Sequence, residues 1–207
     1  MNFTQTIKEG INDPLKTFKV FERIISAICI AIPPLLWLTD TGHPALRSSI
    51  SYYVYMNNSY IFGMLLCMAS MLFIFNGAVY FRNEDNFKLN KNGKWYNVVL
   101  GICLLLIIII PTKTFPNIHL AFGIIFFLGN ALVIGIFHKK KDRKISITLA
   151  VLTIASFVLN LFHVFSLFWA EWLSLIVIAI HFILQSKGII STFKRNPRSN
   201  HSNRKQV

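Results

Sequence analysis

At 207 residues with 54% hydrophobic and 14% charged residues, the chain is too apolar for a soluble domain, in which about 25% charge is usual. A formal net charge of +13 invites a nucleic-acid reading, but the basic residues are scattered over separate segments between apolar runs rather than gathered on one face. The composition therefore excludes a water-soluble core and points to a multi-span membrane protein, with membrane lipids and not nucleic acid as partners.

The distribution of Lys and Arg sets the topology. Nineteen of the twenty-one fall in four segments: before the first apolar run (Lys8, Lys16, Lys19, Arg23), around 82–94, at 139–144, and in the tail from Lys187 onward. Arg47 and Lys113 are the two exceptions. Short loops rich in Lys and Arg stay on the cytoplasmic side, so both termini are expected there and the number of spans is expected to be even.

In chain order, Asp13-Pro14 reads as a helix start, an N-cap followed by Pro at the first helical position. It predicts a short interfacial helix within a cytoplasmic segment 1–19. Span one is Val20–Leu38, with Pro33 and Pro34 expected to kink its outer half. It begins behind a polar lead without a small-residue cleavage site, so it is expected to stay in the mature protein. Spans two, three and four follow at Tyr60–Phe81, Trp95–Pro111 and Ile118–Phe137. The stretch Ile145–Leu184 has no basic residue, and as one helix it would be ~60 Å long, twice the hydrocarbon core. A turn near Ser166 divides it into spans at 145–165 and 168–184. The fold class is thus all-α, a polytopic helical bundle of six transmembrane helices over 20–188, followed by a basic tail, 189–207, expected to be disordered.

Cys29, Cys67 and Cys103 sit within apolar runs without paired spacing and read as packing residues, neither disulfide nor zinc ligands. No cofactor is expected.

The polar residues that are unusual for a membrane protein gather on the outward side. The first outward loop carries Asp40, His43, Arg47 and the run Ser48-Ser49-Ile50-Ser51-Tyr52-Tyr53. The second contributes Pro111, Thr112, Lys113 and His119, and the third is flanked by His163 and Glu171. An acidic residue within an apolar span costs about 2.5–3.5 kcal/mol at mid-membrane and normally has a partner. Glu171 is read either as an interfacial carboxylate reaching headgroup water or as an inward-facing group paired with Arg47, Lys113 or His119. His119 is either a structural, hydrogen-bonded histidine or a base. Asp40, His43, His119, His163 and Glu171 could in principle converge on zinc, but no spacing demands it, and no metal is expected. The serines read equally as helix caps, and no GxSxG elbow surrounds them.

Several of these residues carry a resemblance. Ser49-Ile50-Ser51-x-Tyr53 precedes span two, and Asn76-Gly77 lies near its inner end. Pro111-Thr112 closes span three, His119 with Phe126-Phe127 opens span four, and Phe168-Trp169-Ala170-Glu171 opens span six, which Lys187-Gly188 ends. This order resembles the bacterial six-span membrane proteins of the FRAG/DRAM/SFK group, whose first outward loop has a P-x-I-S motif. This chain has Ser48 where a Pro is usual. The resemblance implies a six-span fold and a site on the outward side. In eukaryotic members of the wider group it implies lipid-anchor remodelling, lipid asymmetry and autophagy. With the Lys-, Asn- and Ile-rich composition it implies a bacterial cytoplasmic membrane.

Together these readings give an uncharacterised membrane protein with a lipid-headgroup pocket open to the non-cytoplasmic side. Arg47 and Lys113 would hold a phosphate, Ser49, Ser51 and Tyr53 would donate hydrogen bonds, and His119 and Glu171 would shape the floor. The same His119 and Glu171 would be the catalytic pair of a membrane-embedded hydrolase or transferase. The remaining alternatives are a small-solute or lipid transporter, resting on Asn76, Asn130, Asn160 and the Pro33-Pro34 break, and a structural or regulatory protein that binds partners through the tail and basic loops.

Overall fold

The computed structural model describes residues 14–43, 45–82, 88–89, 95–136, 142–190 and 193–194. The protein is all-α. Its helices are α1 (Pro14–Thr39), α2 (Ser59–Arg82), α3 (Trp95–Ile109), α4 (Pro116–Ile136), α5 (Arg143–Leu161) and α6 (Leu167–Ser186). A six-residue 3₁₀ segment, Ile50–Tyr55, lies between α1 and α2. A two-residue antiparallel pairing joins β1 (Lys88–Leu89) to β2 (Phe193–Lys194).

Five helices are long and apolar enough to cross a membrane among the described residues, namely α1, α2, α4, α5 and α6. The sixth, α3, is equally apolar but has 15 residues, or ~22 Å of helix against a hydrocarbon core of ~30 Å. It stops before Pro111 because the residue preceding a proline is driven out of the helical region. The short interfacial helix expected ahead of span one is instead the first part of α1, which begins at Pro14 and runs through Pro33 and Pro34. Asp13 and most of the tail expected to be disordered lie outside the described residues.

The partition of side chains is that of a membrane bundle. Small and polar groups such as Ser70, Asn97, Thr153, Ser156 and Ser174 are buried, whereas Leu38, Met64, Ile109, Val151 and Leu161 are exposed. Soluble proteins place such residues the other way round.

The six helices form a closed ring, α1 against α2, then α3, α4, α5 and α6, with α6 packed back on α1. The tightest approach is at Gly101 of α3, where an added Cβ would lie 2.8 Å from the Ser70 carbonyl of α2. Ser70 Oγ donates to the Gly101 carbonyl at 2.7 Å across the same contact.

The α5–α6 turn explains how forty apolar residues divide. His163 adopts φ 58°, its N–H bonds to the Asn160 carbonyl, and the Val164 N–H bonds to the Leu159 carbonyl. These two bonds make a Schellman ending. The end of α6 repeats it, with Gly188 at φ 72° and bonds from Gly188 and Ile189 to Gln185 and Leu184. The break expected at Ser166 is therefore made at His163, and Ser166 becomes the residue before α6.

A ring of six helices leaves space on its axis. At one end Phe73, Phe126 and Phe182 fill it, with Phe73 in edge contact with the other two at 5.7 and 5.6 Å. Toward the other end, where the loops 40–58, 110–115 and 162–166 meet, the axis is open.

Candidate functional site

The open end is a cavity of about 460 Å³ whose walls come from all six helices and from the 3₁₀ segment. Most of the lining is apolar, with Ile32, Leu66, Phe73 and Leu104 in its depth. Its polar residues gather near the loops: Ser49, Ser51, Thr112, His119, Asn160 and Glu171. An apolar chamber with a few convergent polar groups is the usual form of a small-ligand site.

The 3₁₀ segment is held in place by reciprocal capping with α6. The first N–H of the segment, from Ile50, donates to Glu171 Oε2 at 2.5 Å. The second N–H of α6, from Phe168, donates to the Ser48 carbonyl at 2.8 Å. Each helix start thus has an otherwise orphan donor satisfied by the other, and neither Ser49 nor Ser166 caps through its side chain. Tyr53, wholly buried, packs on Phe168 at 6.1 Å and completes the junction.

Of the residues expected at the site, Ser49, Ser51, His119 and Glu171 come together around the cavity. Ser49 and Ser51 share a hydrogen bond between hydroxyls at 3.1 Å. His119 Nδ1 lies 2.7 Å from the Ile110 carbonyl. A carbonyl only accepts, so Nδ1 carries the proton and Nε2 is the acceptor in the neutral ring. Glu171 makes its hydrogen bond to a backbone amide, not an ion pair with Arg47, Lys113 or His119, among the described residues.

Arg47, Tyr53 and Lys113 do not line the cavity. Arg47 forms a two-point pair with the buried Asp40, Nε to Oδ2 at 2.5 Å and Nη2 to Oδ1 at 3.1 Å. Its guanidinium also lies 5.7 Å from the centre of the Tyr53 ring. Burial pushes the Tyr53 phenol above its ordinary value, with the Arg47 backbone amide acting in the opposite direction. Lys113 Nζ sits 4.1 Å over the Tyr55 ring, and the Lys113 N–H donates to the Tyr55 hydroxyl at 3.1 Å.

Among the described residues no three of His, Cys, Asp and Glu converge as metal ligands. His43 Nδ1 is instead 2.7 Å from the Ala45 carbonyl, and His163 is exposed at the α5–α6 turn. No hydrogen bond links His119 to Ser49, Ser51 or Glu171 among the described residues.

A family model, the Family of unknown function (DUF7103), matches residues 31–186, well over half of the chain. The chain belongs to that family. No curated protein and no solved structure matches it. The DUF7103 stretch begins inside α1 and contains every site residue discussed above.

The DUF7103 chain also has a second polar zone, at the end opposite the cavity. Asn97 Nδ2 donates to Asn76 Oδ1 at 2.6 Å, and the side chains of His181 and Gln185 meet at 2.8 Å. Asn97, His181 and Gln185, with Asn130, surround a space of about 10 Å³, at most room for one water. From the sequence alone, His181, near the end of an apolar run, reads as a packing or interfacial residue, and Asn97 and Gln185 carry no mark of their own. The i, i+4 spacing of His181 and Gln185 was the available signal. The sequence places Asp40 and Arg47 in one loop without pairing them, and nothing in it marks the Ile50 amide.

Proposed function

We propose that this is a six-span membrane protein with both termini cytoplasmic, and that its cavity receives a lipid headgroup from the non-cytoplasmic side. The alternate placement of Lys and Arg supports the orientation, and it puts the cavity end outward. The order of the serine loop and His119 resembles the FRAG/DRAM/SFK group and supports the same outward site. One observation carries the ligand reading: a buried carboxylate, Glu171, stands beside Ser49, Ser51, Thr112 and His119 in an otherwise apolar chamber. The Thr112 hydroxyl is buried without a partner there among the described residues, and such groups are ordinarily hydrogen-bonded. Because Arg47 and Lys113 are engaged by Asp40 and Tyr55, the favoured headgroup is one that donates and accepts hydrogen bonds rather than one held by its phosphate.

Lipid retained through purification tests this reading. Wild type should keep stoichiometric phospholipid, and Glu171→Ala combined with Ser49→Ala should lose it. Equal retention in both sinks the headgroup reading. A second reading, translocation, rests on Phe73, Phe126 and Phe182, which separate the outer cavity from the inner polar zone. Under it, Phe126→Ala raises proton flux into dye-loaded proteoliposomes, and flux equal to wild type removes it.

A further inference from the structure

We infer that the chamber takes the acyl chain of a bilayer phospholipid through a lateral opening between α4 and α5. This rests on the lipid reading above and extends it from the headgroup to the chain. The two helices approach closely at the far end from the cavity, where an added Cβ at Gly135 would lie 3.1 Å from Ala150 Cβ. Nearer the cavity their facing sides become its walls, at Leu120, Gly123 and Ile124 on α4 and at Ile154, Phe157 and Val158 on α5. Four of these are exposed as well as cavity-lining: Leu120 at 55%, Ile124 at 48%, Ile154 at 39% and Val158 at 42%. A side chain that faces both the chamber and the outside marks its edge, so an edge of the cavity runs down the α4–α5 seam. At Gly123 an added Cβ would meet nothing within 4 Å.

The chemistry of the edge selects the occupant. It carries no charge, and both helices are apolar enough to cross a membrane, so in the membrane the opening faces hydrocarbon. Water gains few partners on such walls, and apolar cavities of this kind stay dry and accept apolar ligands. The polar residues lie at the loop end and Leu66, Phe73 and Leu104 lie deeper. A phospholipid would therefore place its polar part beside Glu171 and pass one chain through the seam into the depth.

Photolabelling in vesicles of phosphatidylglycerol, whose headgroup hydroxyls donate and accept hydrogen bonds, containing an acyl-chain diazirine analogue of the same lipid tests this directly. Leu66, Phe73 and Leu104 line the chamber and are buried from the outside, whereas Met64 and Ile102 are exposed. In wild type the diazirine should label all five. Gly123→Trp, which fills the opening, should lose label at the three deep positions and keep it on Met64 and Ile102, while Gly123→Ala labels as wild type. Ile154→Trp fills the opening from the α5 side and covers the case in which Gly123→Trp does not fold. Label confined to Met64 and Ile102 in wild type, or deep label undiminished in a folded tryptophan variant, overturns the inference. Deep label in wild type together with lipid retention indifferent to the Glu171 and Ser49 substitutions sinks the headgroup reading and leaves chain entry standing. Retention lost in those variants with only surface label does the reverse.

Discussion

Glu171 accepts a hydrogen bond at 2.5 Å from the backbone N–H of Ile50, a residue 121 positions earlier in the chain. The bond makes a carboxylate on a helix long and apolar enough to cross a membrane the cap of the 3₁₀ segment in the longest described loop, and it does so at the wall of the cavity. Its geometric counterpart, the Phe168 N–H on the Ser48 carbonyl at 2.8 Å, means that ordering the loop and starting α6 are one event.

Glutamine at position 171 keeps a carbonyl oxygen that can accept from Ile50, whereas alanine leaves the amide unpaired. Removing one partner of a buried hydrogen bond costs about 1–3 kcal/mol. Glu171→Ala should lower the thermal midpoint in detergent, and Glu171→Gln should recover most of the loss. If alanine and glutamine prove equally destabilising, the cap is not what Glu171 contributes to stability.

The Asp40–Arg47 pair supports the same loop from the α1 side. The Asp40 side chain is 1% exposed and that of Arg47 16%, so removing the arginine strands a buried carboxylate. Breaking a buried pair from one side costs about 3–5 kcal/mol, while replacing both partners is far milder. Because Arg47 keeps some contact with solvent, about 3 kcal/mol is expected for Arg47→Gln. The double variant Asp40→Asn/Arg47→Gln should be more stable than Arg47→Gln alone. A double-mutant cycle on the unfolding midpoint decides it, and additive losses would show that the two residues are not coupled.

His163 occupies a backbone conformation, φ 58°, that costs an L-residue roughly 1–2 kcal/mol and glycine nothing. Gly188 holds the equivalent place at the end of α6. The expected order of stability at position 163 is therefore glycine at or above histidine, and both above valine, whose branched Cβ is least tolerated there. A valine variant as stable as wild type would mean that the turn reorganises, and with it the split of the apolar stretch into α5 and α6.

Much of the bundle is legible in the sequence because it depends on one-dimensional quantities. Apolar run length places all six helices, but where six spans are expected, five reach membrane length among the described residues and α3 is shorter; the forty-residue stretch must turn because of its length alone. The site is only half legible. Ser49, Ser51, His119 and Glu171 announce themselves as polar residues at the ends of apolar runs, and they do line one cavity. Arg47 and Lys113 announce themselves just as clearly by breaking the charge rule, yet Asp40 and Tyr55 occupy them. Charge pattern shows which side of a membrane a residue occupies but not what it touches there. Closure of the ring by α6 on α1, and the Ile50–Glu171 bond it permits, are long-range contacts with no local periodicity to reveal them.

The α2–α3 contact at Gly101 sets the diameter of the ring and hence the cavity. A Cβ there would fall 2.7 Å from Ile74 Cγ1 and 2.8 Å from the Ser70 carbonyl. The isoleucine can rotate, but the backbone oxygen cannot, and Ser70 Oγ is bonded to the Gly101 carbonyl at 2.7 Å. Alanine must push the helices apart and stretch that bond, an overpacking cost of about 1–3 kcal/mol. Ser70→Ala removes only the hydroxyl and should cost about 1 kcal/mol. Gly101→Ala is thus expected to lower the unfolding midpoint more than Ser70→Ala, whereas Gly63→Ala, where an added Cβ meets nothing within 4 Å, should leave it near wild type. Gly101→Ala as stable as Gly63→Ala would show that α2 and α3 separate freely, and the close approach would then not fix the width of the chamber.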